Sequence, residues 1–200
     1  MTTWEPDQAE LVTSEEELRE VVEPPVPAIA AKGIAGIDAL SRAFIDAARL
    51  FFIATTGPDG SLDLSPRGDE TGSVLVFDDN RTLAFADRNG NRRLDSFRNV
   101  LRHPRVGMLF VVPGVDHALR VNGRATIVRS APFFAEFAAR GLEPALAVVV
   151  EVEELFVHCG RAFLRSGVWD PATWPEPETL PTSGQLLKSQ LAAAHFVYNG

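Results

Sequence analysis

The ten residues LRVNGRATIV, positions 119–128, carry the pattern that decides the fold. Apolar and polar side chains alternate along them, and successive side chains of a β-strand point to opposite faces of its sheet. One face is formed by Leu119, Val121, Ala125 and Ile127, and the other by Arg120, Asn122, Arg124 and Thr126. We therefore expect a strand with one face in the core and the other towards water, a ligand or a partner.

Similar short segments occur on both sides of this strand. The run LFFIATT, residues 50–56, is rich in aromatic and β-branched residues, and the turn sequence GPDG after it predicts a hairpin with the next segment. The predicted strands are residues 50–56, 61–65, 73–77, 82–86, 106–112, 119–128 and 145–157. Closely spaced strands with inserted helices favour a mainly β protein built as an antiparallel barrel over repeating β-α-β units.

Helices are predicted before and between these strands. Ser14 and Glu17 have the spacing of a capping box, which opens a short helix. A second helix is predicted from an apolar face made by Ile37, Leu40, Phe44, Ala47 and Ala48. The length suits one domain over residues 1–200. We expect an N-terminal helical extension over residues 1–49, a barrel core over 50–157, and a C-terminal helix and tail over 158–200.

Two adjacent arginines follow the fourth predicted strand, in the sequence DRNGNRRLDSFRN. Leu94, Phe97 and Leu101 predict a helix that begins near Asn91, which puts Arg92 and Arg93 in its first turn. Cations are disfavoured at that end of a helix, so a bound anion, above all a phosphate, would explain them. The alternative is that both side chains are solvated, with Asp95 forming ordinary helix-surface ion pairs.

A third arginine lies in the sequence SPRGD, residues 65–69. Arg67 ends the second predicted strand, whereas Arg92 and Arg93 follow the fourth, and these places can be neighbours in a small barrel. Three converging arginines would repel one another unless an anion lay between them. The alternative is a turn arginine in solvent.

Composition limits the possible partners. The net charge is −8, which argues against a nucleic-acid or membrane binder, although seven of the 19 basic residues lie between Arg81 and Arg105. The sequence has no apolar run of about 20 residues and no signal-peptide pattern at its start. Cys159 is the only cysteine, and we expect it to be structural and at least half-buried. These features predict a cytoplasmic protein.

Common catalytic and nucleotide-binding motifs are missing. The chain has no G-x-G-x-x-G loop, no G-x-x-x-x-G-K-[ST] loop and no G-x-S-x-G elbow. Its four histidines lack ligand spacing, so we expect no metal site. No side chain stands out from the sequence as a catalytic acid or base.

The segments SPRGD, TLAFADRNGNRRLDSFRNVLRHPRVGMLF and LRVNGRATIV, in this order, resemble the pyridoxamine 5'-phosphate oxidase-like flavoproteins. More narrowly, they resemble a bacterial subgroup marked by SPRGD and GNRR. The resemblance covers roughly residues 51–169 and implies the FMN-binding split β-barrel fold. It also implies FMN as cofactor and a homodimer in which the flavin touches both subunits.

The resemblance also implies site residues. Those expected to hold the FMN phosphate are Ser65, Arg67, Asn91, Arg92 and Arg93. Those expected near the flavin ring are Ala86, Asp87, Arg120 and Asn122, with Arg165 and Trp169 approaching from the C-terminal tail.

The chain departs from the authentic oxidases of this family in two places. The sequence after Arg67 is GDETG, without the expected lysine, and the C-terminal region lacks an R-L-H-D-R-like element. A vitamin B6 substrate is therefore not expected. The resemblance favours an oxidoreductase acting on an unidentified small molecule. The alternatives are a non-catalytic FMN carrier, sensor or haem-related accessory and, more remotely, a nucleic-acid binder that uses the basic cluster.

Overall fold

The computed structural model describes residues 4–88, 90–142 and 144–196. In chain order, its strands are β1 (Leu50–Thr56), β2 (Leu62–Gly68), β3 (Val74–Val76), β4 (Thr82–Ala86), β5 (Arg105–Val111), β6 (Ala118–Val128) and β7 (Ala147–His158). They form one antiparallel sheet in the order β2-β1-β5-β6-β7-β4-β3, which is not closed. The expected mainly β fold with inserted helices is therefore confirmed.

The strand predictions correspond closely to these elements. β1 and β4 have the predicted bounds, and β1 pairs with β2 as the expected hairpin, with Ile53 opposite Ser65. On β6, Leu119, Val121 and Ala125 are buried, as the alternating pattern predicted. A β-bulge between Asn122 and Gly123 shifts the pairing register of β6 with β7 at this point.

The helices are α1 (Glu15–Val21), α2 (Pro27–Ala30), α3 (Ala39–Ala47), α4 (Asp95–Val100), α5 (Phe134–Ala139), α6 (Arg161–Ser166) and α7 (Ser183–Ala193). Ser14 caps α1, because its Oγ accepts a hydrogen bond from the Glu17 N–H at 3.1 Å. The Glu17 carboxylate, however, accepts from the N–H of Thr13 at 2.7 Å. In a capping box the Glu17 carboxylate would accept from the N–H of Ser14. Here the donor is one residue earlier in the chain, so only one of the two predicted hydrogen bonds is present.

The prediction that Arg92 and Arg93 lie in the first turn of a helix was wrong. The helix α4 begins only at Asp95. Arg92 and Leu94 have φ angles of 62° and 57°, which lie in the left-handed region. A right-handed helix therefore cannot extend back from Asp95 through these two positions. The arginines therefore lie in the loop before α4.

The apolar face predicted for the helix after the arginines is confirmed only in part. Phe97 is buried as expected, together with Val100, but Leu94 and Leu101 are 46% and 75% exposed.

The apolar face predicted for the second helix is also confirmed only in part. Ile37 and Ala48, which flank α3, are buried, whereas Leu40 is 83% exposed and α3 itself buries Ile45.

The main core lies on the inner face of the sheet, beneath α3 and α4. Phe51 is at its centre, with ring centroids 5.0 Å from Phe85 and 5.1 Å from Phe110. A smaller cluster packs α5 against β3 and β4 and is centred on the fully buried Phe137. Together these clusters fix β2, β4 and α4 relative to one another, and these are the elements that surround the site.

The terminal segments are largely exposed. Residues 4–31 contain no buried residue, and this extension contacts β7 through Lys32, which donates to the carbonyl of Val157, and through the bridge between Ile34 and Leu155. Cys159 directly follows β7 and is exposed, so the expectation of a buried or half-buried cysteine was wrong. Among the described residues, no helix combines the length and the apolar character needed to cross a membrane.

Candidate functional site

A cleft of about 480 Å³ opens between β2, the end of β4 and the loop that leads into α4. This volume is within the range of roughly 300–1,000 Å³ typical of small-molecule sites. The predicted site residues that line it are Ser65, Arg67, Ala86, Asp87, Asn91, Arg92 and Arg93. Two distant chain segments thus meet at one cleft, and each brings arginine side chains to it.

Arg67 lies on the inner face of β2, half-buried. Its Nη1 donates to the carbonyl of Pro66 at 2.9 Å, and its Nη2 donates to Ser96 Oγ at 3.1 Å. Burial lowers the pKa of Arg67, while the charges of Asp63 and Asp87 raise it. A guanidinium has five N–H donors, so these two hydrogen bonds leave others for a ligand.

The loop before α4 presents the other two arginines. Asn91 Oδ1 accepts from the backbone N–H of Arg93 at 3.0 Å and fixes the turn. Arg93 Nε lies 2.7 Å from Asp95 Oδ2, and this hydrogen bond raises the pKa of Arg93. Within the described residues, the guanidinium of Arg92 makes neither an ion pair nor a hydrogen bond. Arg92 therefore carries a charge that this part of the protein does not compensate.

Acidic side chains share the cleft. Arg88 Nε lies 2.6 Å from Asp69 Oδ2, so these two charges largely neutralise each other. Burial raises the pKa of Asp87, and the charge of Arg67 opposes that rise. Once the direct ion pairs are set aside, Arg67 and Arg92 face the single carboxyl of Asp87. This balance favours an anionic ligand.

Arg120 and Asn122 do not line this cleft. They lie on the outer face of β6, where Glu154 Oε2 accepts from Arg120 Nη2 at 3.1 Å and from Asn122 Nδ2 at 2.8 Å. The Arg120 guanidinium also lies 4.5 Å from the ring centroid of Phe156. Its charge is thus compensated within the chain, although its buried Nε has no partner among the described residues.

Arg165 and Trp169 are also away from the cleft. Arg165 is exposed in the last turn of α6. The Trp169 ring stacks on Phe163 with centroids 6.1 Å apart, and its Nε1 donates to the carbonyl of Val115 at 3.0 Å. In this chain Trp169 packs the C-terminal segment against the residues before it.

Two residues of α4 were missed by the sequence analysis, Ser96, which lines the cleft, and Asn99, which lies near it. Ser96 on α4 contacts both Arg67 and Asp63, and Asn99 donates from its Nδ2 to Thr55 Oγ1 at 3.0 Å. The positions of Asp63 and Arg67, four residues apart on one strand, put them on the same face and could have suggested the first of these contacts. No pattern in the sequence indicated that side chains of α4 would reach these positions.

Metal binding finds no support in the described segments. Among these residues, no group of three or more His, Cys, Asp or Glu side chains could hold a metal ion. The cleft is lined by guanidinium groups, hydroxyls and carboxylates, together with apolar side chains such as Phe51 and Phe85.

Comparison with protein families identifies the chain. The pyridoxamine 5'-phosphate oxidase model matches residues 37–159, more than half of the sequence. The chain therefore belongs to the pyridoxamine 5'-phosphate oxidase family, whose members bind flavin cofactors. This confirms the family resemblance inferred from the sequence, and the narrower subgroup stays a prediction. Comparison with curated protein sequences finds no match.

Solved structures share the architecture at low sequence identity. A variant of HupZ from Group A Streptococcus is 18% identical, with 61% of this chain and 99% of that chain covered and a TM-score of 0.50. A Lactobacillus delbrueckii protein named for the same family is 21% identical, with 62% and 95% covered and a TM-score of 0.48. The FAD binding protein from Mycobacterium smegmatis is 20% identical, with 62% and 97% covered and a TM-score of 0.43. The HupZ likeness supports the fold and nothing further.

Proposed function

We propose that this protein is an FMN-dependent oxidoreductase that acts on a small molecule. The observation that carries the proposal is the meeting of Arg67 with Arg92 and Arg93 at one cleft of about 480 Å³. These arginines come from segments about 25 positions apart, and their mutual repulsion is relieved when an anion binds between them. Membership of a flavin-binding family makes a flavin phosphate the natural anion.

The cleft offers suitable groups for each part of FMN. The phosphate would be held by Arg67, Arg92 and Arg93, since guanidinium groups form strong, charge-assisted and often bidentate hydrogen bonds with phosphates. Asn91 and Ser65 would add polar contacts from the same walls. Ala86 and Asp87, at the end of β4, would border the ring.

Bound FMN would supply the redox chemistry, and the protein would supply binding, orientation and a pocket. Arg67 is held by two hydrogen bonds to neutral groups and thus presents its remaining donors in a fixed direction. Asp87 is half-buried and its pKa is raised by burial, so it is the ionisable group in the cleft best suited to hold a proton.

We also propose a homodimer formed through the outer face of the sheet, with FMN contacting both subunits. This face carries Leu62 and Leu64 on β2, which are 82% and 69% exposed, and Arg120 and Asn122 on β6. Such an apolar edge favours association with another chain. Light scattering should give the mass of two chains, and Leu62→Glu with Leu64→Glu should give one. A monomeric wild type would overturn the dimer.

The phosphate contacts can be tested separately from the ring contacts. Purified protein should bind FMN, with the flavin absorbance bands shifted and its fluorescence changed, and should bind riboflavin more weakly because riboflavin lacks the phosphate. The test variant combines Arg92→Asn with Arg93→Gln, since asparagine tolerates the left-handed backbone at position 92. The matched control combines Arg98→Gln with Arg102→Gln, which removes two nearby charges that do not line the cleft.

The test variant should bind FMN about 10- to 100-fold more weakly while its riboflavin affinity stays constant, because charge-assisted hydrogen bonds contribute roughly 1.5–3 kcal/mol each. The control should retain the preference for FMN. A wild type that binds no FMN, or binds it no better than riboflavin, would overturn the proposal. FMN binding with no reduction by any electron donor would favour the non-catalytic carrier, sensor or haem-related accessory instead.

A further inference from the structure

A network of hydroxyl and carboxylate groups contacts Arg67, and two of its members, Ser65 and Ser96, also line the cleft. Ser96 Oγ donates to Asp63 Oδ2 at 2.6 Å and accepts from Arg67 Nη2 at 3.1 Å. Ser65 Oγ also donates to Asp63, at 3.1 Å from Oδ2. Ser96 is 5% exposed, so water does not compete for these contacts.

The direction of these hydrogen bonds is set by chemistry. A serine hydroxyl has one proton to donate and two lone pairs that accept. An ionised carboxylate only accepts, so Asp63 takes the Ser96 proton and leaves a lone pair of the hydroxyl for the guanidinium. Ser96 thus holds Arg67 without neutralising it, because a hydroxyl carries no charge.

We propose that Ser96 is a positioning residue for the phosphate site, acting through Arg67; this inference rests on the proposed function. The hydroxyl fixes one arm of the guanidinium fork, while the Pro66 carbonyl fixes the other. The remaining N–H donors are thereby held towards the cleft before a ligand arrives. Preorganised donors bind more tightly because less conformational freedom is lost on binding.

The structure provides a matched control on the same helix. Asn99 lies one turn after Ser96 and also ties α4 to the sheet, through its hydrogen bond to Thr55 on β1. That bond has no connection to Arg67. Removing Ser96 or Asn99 loosens the docking of α4 in a similar way, but only the loss of Ser96 releases the guanidinium.

The experiment measures FMN and riboflavin affinities and the melting temperature of Ser96→Ala, Ser96→Cys and Asn99→Ala. In both Ser96 variants the preference for FMN over riboflavin should fall about five- to tenfold, which is less than the loss of a hydrogen bond to the charged phosphate itself, because the guanidinium is released but still present. The cysteine variant keeps the side-chain volume and accepts hydrogen bonds weakly, so it tests the hydroxyl with little risk to folding. In Asn99→Ala the melting temperature should fall and the preference should stay constant.

A double-mutant cycle tests whether Ser96 acts through Arg67. In an Arg67→Gln background, Ser96→Ala should have no further effect on the preference for FMN. A further loss in that background, or an unchanged preference in the single Ser96 variants, would overturn the positioning role. If the wild type itself shows no preference for FMN, the proposed function fails first, so the two failures are distinguishable.

Discussion

Arg67 on β2 and Arg120 on β6 are both half-buried strand arginines, yet they have different kinds of partner. The contacts of Arg67 are a hydroxyl and a backbone carbonyl, both neutral. The contacts of Arg120 are the carboxylate of Glu154 and the face of the Phe156 ring. Arg67 therefore makes no direct ion pair, although Asp63 and Asp87 lie near enough to act on its charge, and its remaining donors are left for a ligand. The charge of Arg120 is compensated within the chain by Glu154.

The difference shows that burial alone does not identify a binding arginine. A buried cation that is paired with a carboxylate has a structural role, because its charge is already neutralised by that partner. A buried cation held by neutral acceptors is oriented and still attracts anions. Of the loop arginines, Arg92 has no ion pair within the described segments, and Arg93 uses only its Nε for Asp95, so its other N–H donors remain for a ligand.

The strongest test of this comparison is Arg67→Gln. We expect FMN affinity to fall about 100-fold and riboflavin affinity to change little, because the substitution removes a desolvated charge together with its remaining donors. Isothermal titration with both flavins measures the two effects. The substitution Arg120→Gln should leave the ratio of the two affinities unchanged. An equal loss for FMN and riboflavin in Arg67→Gln would place this arginine near the ring instead of the phosphate.

The second prediction concerns stability on the outer face. Arg120→Gln should lower the free energy of unfolding by about 1 kcal/mol, because it removes a partly exposed ion pair and a cation–π contact. For a chain of this size, this corresponds to a drop of about 2–4 °C in melting temperature. Arg124→Gln, an exposed position on the same strand, is the control and should change the melting temperature less. A larger effect at Arg124 would contradict the assigned contacts.

The smallest expected effect is at Asp87. Burial raises the pKa of this carboxyl and Arg67 only partly opposes the rise, so the folded chain binds the proton more tightly than the unfolded chain. The resulting stabilisation is present at low pH and is lost as the pH rises above about 4 through the folded pKa. Asp87→Asn should therefore raise the melting temperature at neutral pH, on the order of 1 °C, and less at low pH.

Thermal unfolding of the unliganded protein between pH 4 and pH 8 measures this difference. Asp78→Asn, at an exposed turn, is the control and should give a curve parallel to that of the wild type. A larger gain for Asp87→Asn at acidic than at neutral pH would reverse the assigned direction of the pKa shift.

Much of the sheet could be predicted from sequence because its signals are local. The bounds of β1 and β4 follow from runs of aromatic and branched residues that end at turn sequences. The start of α4 could not be predicted, since neither arginine nor leucine signals a left-handed backbone, and Arg92 and Leu94 adopt it.

The candidate site, like the fold, could be predicted only in part. The convergence of the arginines followed from charge and from the resemblance, and the structure brings Arg67, Arg92 and Arg93 to one cleft. The bridge through Ser96 was not predictable, because it depends on how α4 packs over β2. The roles of the site residues in binding FMN, including those of Arg120, Asn122, Arg165 and Trp169, remain predictions.

The left-handed backbone at Arg92 has a consequence for protein engineering. An arginine in this conformation costs about 1–2 kcal/mol relative to the right-handed form, and an asparagine tolerates it better. A screen for heat-resistant variants, run without ligand, would thus favour asparagine at position 92 and at the same time remove the proposed phosphate contact. Selection for heat resistance should therefore be carried out with the ligand present, so that variants are ranked by the stability of the ligand-bound protein.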